Sequence, residues 1–73
     1  MVIMTQNRRN IIVMEKFIGI RINEENQIVA KKENGEGIIL GDYRKLKDAR
    51  AELNEILRAY AENRVVYVMK GEQ

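Results

Sequence analysis

Between Phe17 and Ile22 apolar residues recur at every second position, and beyond Arg44 the spacing lengthens to that of a helix. Ile18, Ile20 and Ile22, with Gly19 and Arg21 between them, place three isoleucines on one face of a strand. Asn23-Glu24-Glu25-Asn26 reads as a polar turn, and residues 27–33 as the returning strand, with Ile28 and Ala30 facing inward. Asn34-Gly35 predicts a two-residue type I′ hairpin turn, in which both central positions have positive φ. The run Gly37-Ile38-Ile39-Leu40-Gly41 then supplies a third arm, making a meander. Upstream, residues 2–6 and 11–14 are short β-favouring runs on either side of the turn Asn7-Arg8-Arg9-Asn10.

From Arg44 to Glu62, Leu46, Ala49, Leu53, Ile56, Leu57 and Tyr60 fall on one helical stripe. Lys47, Asp48, Glu52, Glu55, Arg58 and Glu62 occupy the other sectors, and Asn63 suits a left-handed cap at the end. Val65-Val66-Tyr67-Val68-Met69 is too short and too β-branched for anything but a strand. The expected fold is α+β: a two-layer sandwich in which an antiparallel sheet of about four to six short strands is covered by one long helix. That helix spans about 45–62, and a C-terminal strand follows at about 64–69. The chain reads as a single domain over 1–73, with 71–73 as a fraying tail. The last strand has two options, the edge of its own sheet or the same strand of a second copy.

At 73 residues the core is small and the stability margin thin, so disulfides, a metal or a partner subunit would help. Cysteine and histidine are both absent, which removes disulfides, thiolate sites and the commonest transition-metal ligand. Oligomerisation is the stabiliser that remains, and a homodimer is the expected form. No run of ~18 apolar residues occurs, and Met1 to Met4 lacks the flanks of a signal peptide. A cytoplasmic protein without membrane contact is expected. Thirteen basic and eleven acidic residues give +2, spread as +1 on each half, which lends little support to nucleic acid as a partner.

Serine is absent as well, and Thr5 is the only threonine, so the usual nucleophile–base pairs cannot be assembled. The chain is read as no enzyme, with no catalytic residues, no cofactor and no metal. Glu24, Glu25 and Asp42 follow no ligand-spacing pattern and read as solvated turns. Gly35-Glu36-Gly37 lies between two strands, whereas phosphate loops lead into a helix. Tyr43, Tyr60 and Tyr67 read as residues at the core's edge. One feature goes against good helix design: Arg44, Lys45, Lys47 and Arg50 crowd the start of the helix, where the dipole favours acids. Those four are the candidate contact for an anion or a protein partner, with Asp48 as partial relief.

Leu40-Gly41-Asp42-Tyr43, a helix carrying Ala49, Leu53 and Ile56, and Val66-Tyr67-Val68-Met69 together resemble a group of short uncharacterised proteins encoded by phages and prophages of Gram-positive bacteria. The opening Ile3-Met4-Thr5-Gln6-Asn7 is similar to their starts. Members usually cap the helix with Ser or Thr and carry Glu before the alanine, where this chain has Arg44-Lys45 and Asp48. They often end in Met-Pro, whereas Lys70 follows Met69 here. The resemblance implies an origin, and a small accessory protein acting through protein contacts. Three strands, Leu-Gly-x-Tyr and a helix with an early alanine are also similar to arm-type DNA-binding domains of phage integrases and to plant AP2-like domains. That likeness implies DNA contact from an exposed sheet face through Arg21 and Lys31, with Glu33 and Glu36 opposing it.

Overall fold

The computed structural model describes residues 1–71. The predicted tail lies for the most part outside the described residues, and Gly71 is exposed. Among the described residues the fold is α+β, as the periodicities predict, with six short strands and one helix. In chain order these are β1 (Val2–Met4), β2 (Ile11–Val13), a single 3₁₀ turn (Met14–Lys16), β3 (Gly19–Ile22), β4 (Gln27–Lys31), β5 (Gly37–Asp42), α1 (Leu46–Ala61) and β6 (Val66–Val68).

The strands divide into two three-stranded sheets, ordered β2-β1-β6 and β3-β4-β5. The second is the expected antiparallel meander. In the first, β6 lies parallel to β1, with Val2 opposite Val66 and Met4 opposite Val68. This corrects the expectation of one wholly antiparallel sheet, and it places the last strand on its own chain. The sheets part at Gln6. Its N–H donates to the Leu40 carbonyl at 2.8 Å, and its side-chain oxygen accepts from the Asp42 N–H at 2.7 Å. One main-chain bond and one side chain thus join β1 to β5 where a continuous ladder would otherwise run.

Both meander turns use one device. Asn26 at φ 61° and Gly35 at φ 93° take the left-handed position, and their N–H groups donate three residues back, to Asn23 and Lys32. Asn34 has no positive φ, so the Asn34-Gly35 turn is not type I′. Its loop is Glu33-Asn34-Gly35, closed by the Lys32 N–H on the Glu36 carbonyl at 2.8 Å. The Asn34 carboxamide oxygen accepts from the Glu36 N–H at 2.9 Å, a local bond that holds Asn34 out of the left-handed region.

The core gathers Ile3, Ile12 and Tyr67 from one sheet, Ile28, Ala30 and Leu40 from the other, and Ala49, Ile56 and Ala59 from α1, with Tyr43 and Met69. The buried face of α1 is Ala49, Glu52, Ile56 and Ala59. The predicted stripe is therefore rotated: Leu46, Leu57 and Tyr60 are exposed, and Glu52 goes inside. Two alanines let the helix lie close, and β6 supplies hydrogen-bond donors for the acid. Ile18 precedes β3 and is 63% exposed, which corrects its place beside Ile20 and Ile22. The helix ends as predicted. Asn63 sits at φ 58°, and the N–H groups of Asn63 and Arg64 donate to the Tyr60 and Ala59 carbonyls, the Schellman pattern.

The helix start is less well made. Lys45 is the N-cap, at φ −117° and ψ 141°, and its side chain makes no capping bond. Lys45→Asp keeps that backbone geometry, adds an acceptor and replaces a cation at the positive dipole end. It is expected to stabilise the fold by about 1 kcal/mol. On a domain of this size that raises Tm by about 4–8 °C; an unchanged Tm in a calorimetric scan counts against the cap.

Candidate interaction surface

Thr5, Glu52, Tyr43 and Tyr67 are buried and hydrogen-bonded within the fold. Thr5 is buried; its hydroxyl donates to Asn7 Oδ1 at 2.8 Å and accepts from the Asn10 N–H at 3.2 Å, closing the first turn. Glu52 is 5% exposed. One of its oxygens, Oε2, accepts from the Tyr67 hydroxyl at 2.8 Å and from the Lys70 N–H at 2.9 Å. The Lys70 carbonyl in turn accepts from the Tyr43 hydroxyl at 2.7 Å and from Gln6 Nε2 at 3.3 Å. Side chains from α1 and from the segments that follow β1 and β5 thus hold the N–H and carbonyl of Lys70, and Tyr67 of β6 ties Glu52 in place. This is a latch that seats β6. Among the described residues no three acidic groups converge as a metal site requires.

Burial, and after it the hydrogen bond to Glu52, push the Tyr67 phenol well above its usual value of 10.0. The folded chain therefore retains a proton that the unfolded chain releases above that value. The resulting stabilisation is complete below pH 10.0 and is lost as the pH rises beyond it. Ultraviolet absorbance of the phenolate is expected to show Tyr67 ionising only together with loss of far-UV ellipticity. The amplitude of that late component should fall by one tyrosine in Tyr67→Phe; an unchanged amplitude counts against protection of Tyr67.

The outer face of the β2-β1-β6 sheet is apolar. Ile3, Ile12 and Tyr67 point inward, so alternation sends their neighbours out. Those neighbours form two rows across the sheet, Ile11–Met4–Val68 and Val13–Val2–Val66. All six outward positions are aliphatic, where an antiparallel sheet facing water would alternate with polar side chains. Ile11 is 63% exposed and Val66 50%, while Val2 and Met4 are half-buried between their neighbours. Val65, just before β6, is also exposed. A patch of this kind marks an interaction site on a small protein. The alternation is legible in the last segment, where Val66 and Val68 flank Tyr67; that all three strands stack their outward aliphatics depends on the β1–β6 pairing.

A second apolar region is a groove of about 480 Å³ between α1 and the start of β3, lined by Met14, Phe17, Ile18, Ile20, Leu53 and Leu57 among others. It accounts for the outward Leu57 and Tyr60, which form part of its wall.

Arg44, Lys45, Lys47 and Arg50 are all exposed around the start of α1. Asn26 Nδ2 donates to the Arg44 carbonyl at 3.1 Å, which anchors that corner to the β3–β4 turn. Lys47 and Arg50 are three residues apart on the helix and share a flank. Arg21 and Lys31 are exposed on the outer face of the meander. Arg21 stands opposite Val29, one pleat from the Gly19–Lys31 pair, so the two cations are diagonal neighbours. Glu33 and Glu36 lie beyond the strands in the β4–β5 turn, where Glu36 approaches Lys32 Nζ at 3.9 Å. Arg21 and Lys31 are on a different sheet from the aliphatic face, and Arg44 to Arg50 belong to the helix corner.

No helix among the described residues is long and apolar enough to cross a membrane. Comparison with protein-family models, with curated proteins and with solved structures found no match.

Proposed function

We propose that this chain is a non-enzymatic accessory module of the small phage or prophage type, working through contacts with protein chains. The observation that carries the reading is the aliphatic outer face of β2-β1-β6, where six side chains offer water no nitrogen or oxygen to hold. The usual catalytic side chains are absent from the sequence, and the buried acid, Glu52, serves to seat β6. A photo-crosslinking residue placed at Val13 or Val68 is expected to give discrete protein adducts in cells expressing the protein, while the same residue at Glu36 gives none. Equal, diffuse labelling at all three positions ends the reading.

The alternative is a DNA contact through Arg21 and Lys31, which the diagonal pairing on one face supports, or through Arg44, Lys45, Lys47 and Arg50 at the helix start. Fluorescence titration with duplex DNA tests it. Absence of binding at low salt, where counterion release favours association most, removes it.

A further inference from the structure

We infer that the partner covering the aliphatic face is a second copy of this chain, the two β2-β1-β6 sheets packing face to face about a two-fold axis. The inference rests on the protein-contact reading above and names its occupant.

Charge is the first argument. In a two-fold contact each residue meets the image of another in the same patch, so charge of a single sign on the patch would be brought near its own like. The rows Ile11–Met4–Val68 and Val13–Val2–Val66 carry none. A partner of different sequence would ordinarily be specified by charges or hydrogen-bonding groups on the surface it reads; the two rows offer neither, and charged side chains such as Arg8 and Arg64 stand beside them along β6.

Shape and area are the second. Five of the six side chains are β-branched and stand on adjacent strands, which suits interdigitation with a like sheet about 10 Å away. Met4, at the centre of one row, is the flexible member that fills irregular gaps. Covering both faces with their flanks removes on the order of 1,000 Å² of surface, the lower bound for a specific contact. A contact at that lower bound is expected to be weak, with dissociation in the micromolar range or above.

Pairing of two β6 edges is a different arrangement. It would join the sheets side by side, leave all the aliphatic rows in water and double the exposed patch. Ile11 separates the two arrangements, because β2 lies on the far side of β1 from β6.

The test is sedimentation equilibrium on the full chain from roughly 5 µM to 1 mM, a span that covers weak association. The wild type is expected to rise from the monomer mass towards twice that mass. Ile11→Lys, at an exposed site that leaves folding unchanged by far-UV ellipticity, is expected to weaken association by about 100-fold or more, since the new ammonium would be buried without a partner. Association that is insensitive to Ile11→Lys overturns the face-to-face arrangement. A wild type that stays monomeric throughout overturns the second copy. In that event a soluble nitroxide separates the two levels of the reading. Methyl signals of Val13 and Val68 bleached by the probe leave the face open to another protein, whereas protected methyls overturn the protein-contact reading as well.

Discussion

Glu52→Ala is expected to remove about 3 kcal/mol of folding free energy, because it strands the Tyr67 hydroxyl and the Lys70 N–H without an acceptor and opens a void under α1. For a domain at the low end of the ~5–15 kcal/mol range, that leaves about 2 kcal/mol and raises the unfolded fraction to roughly a few per cent at room temperature. Glu52→Gln keeps the oxygen that both donors address and introduces an amide N–H₂ in a buried place, so an intermediate loss of about 1–2 kcal/mol is expected. Urea titration followed by far-UV ellipticity measures both. Tyr67→Phe removes one donor of the pair, and its cost should combine with that of Glu52→Ala to less than their sum, since the two share one bond. A Glu52→Ala loss below ~0.5 kcal/mol, the range of ordinary surface substitutions, would mean that β6 is held by its pairing with β1 and by the bonds to the Lys70 carbonyl, without Glu52.

Gly41→Ala is the second large effect. Gly41 is the last residue but one of β5, opposite Ile28 at a register shift, and is buried. A Cβ there would lie 2.9 Å from Tyr43 Cε2, 3.0 Å from its hydroxyl oxygen and 3.2 Å from Met69 Cε. Tyr43 cannot swing aside without giving up its 2.7 Å bond to the Lys70 carbonyl, so the added methyl meets a fixed ring. Overpacking of this kind costs about 1–3 kcal/mol. Gly19→Ala is the control. It lies in β3 without a positive φ, and a methyl added there would meet nothing within 4 Å, so the change should be neutral or slightly stabilising. Equal changes in stability at the two glycines would discard the close approach to Tyr43.

The two variants act on one latch. Tyr43 and Gln6 hold the Lys70 carbonyl, Glu52 holds its N–H, and Tyr67 ties Glu52 to β6. Loosening that latch frees β6 from β1 and takes away one third of the aliphatic face, so both substitutions should weaken self-association along with stability. The Ile11→Lys variant should weaken association alone.

Local patterns carry a good part of this fold. The period-two run around Ile20, the inward Ile28 and Ala30, the α-helix over most of 45–62 and the left-handed Asn63 cap all follow from side-chain spacing and backbone preference within a few residues. Periodicity misleads where polar identity and burial part company. A carboxylate on a helix counts as a surface residue in any hydrophobic period, and only the arrival of two donors from β6 and its end makes Glu52 a core residue. Leu46, Leu57 and Tyr60 fall on the predicted stripe yet face outward for the converse reason: the stripe holds more apolar side chains than two small sheets can cover.

The candidate surface is less visible still. Arg44, Lys45, Lys47 and Arg50 stand out in the sequence because misplaced charge is a local property. The aliphatic face is assembled from three strands, two near the start of the chain and one more than fifty residues away. The sequence by itself determined the element types, the helix end and the inward residues of the meander, since these depend on dihedral preference and periodicity over short range. Only the tertiary structure decided that β6 runs parallel beside β1, that the sheet splits at Gln6, and that six aliphatic side chains share one open face. Strand pairing between distant segments is settled by which arrangement satisfies buried hydrogen-bonding groups such as the Glu52 carboxylate, and no spacing along the chain encodes that competition.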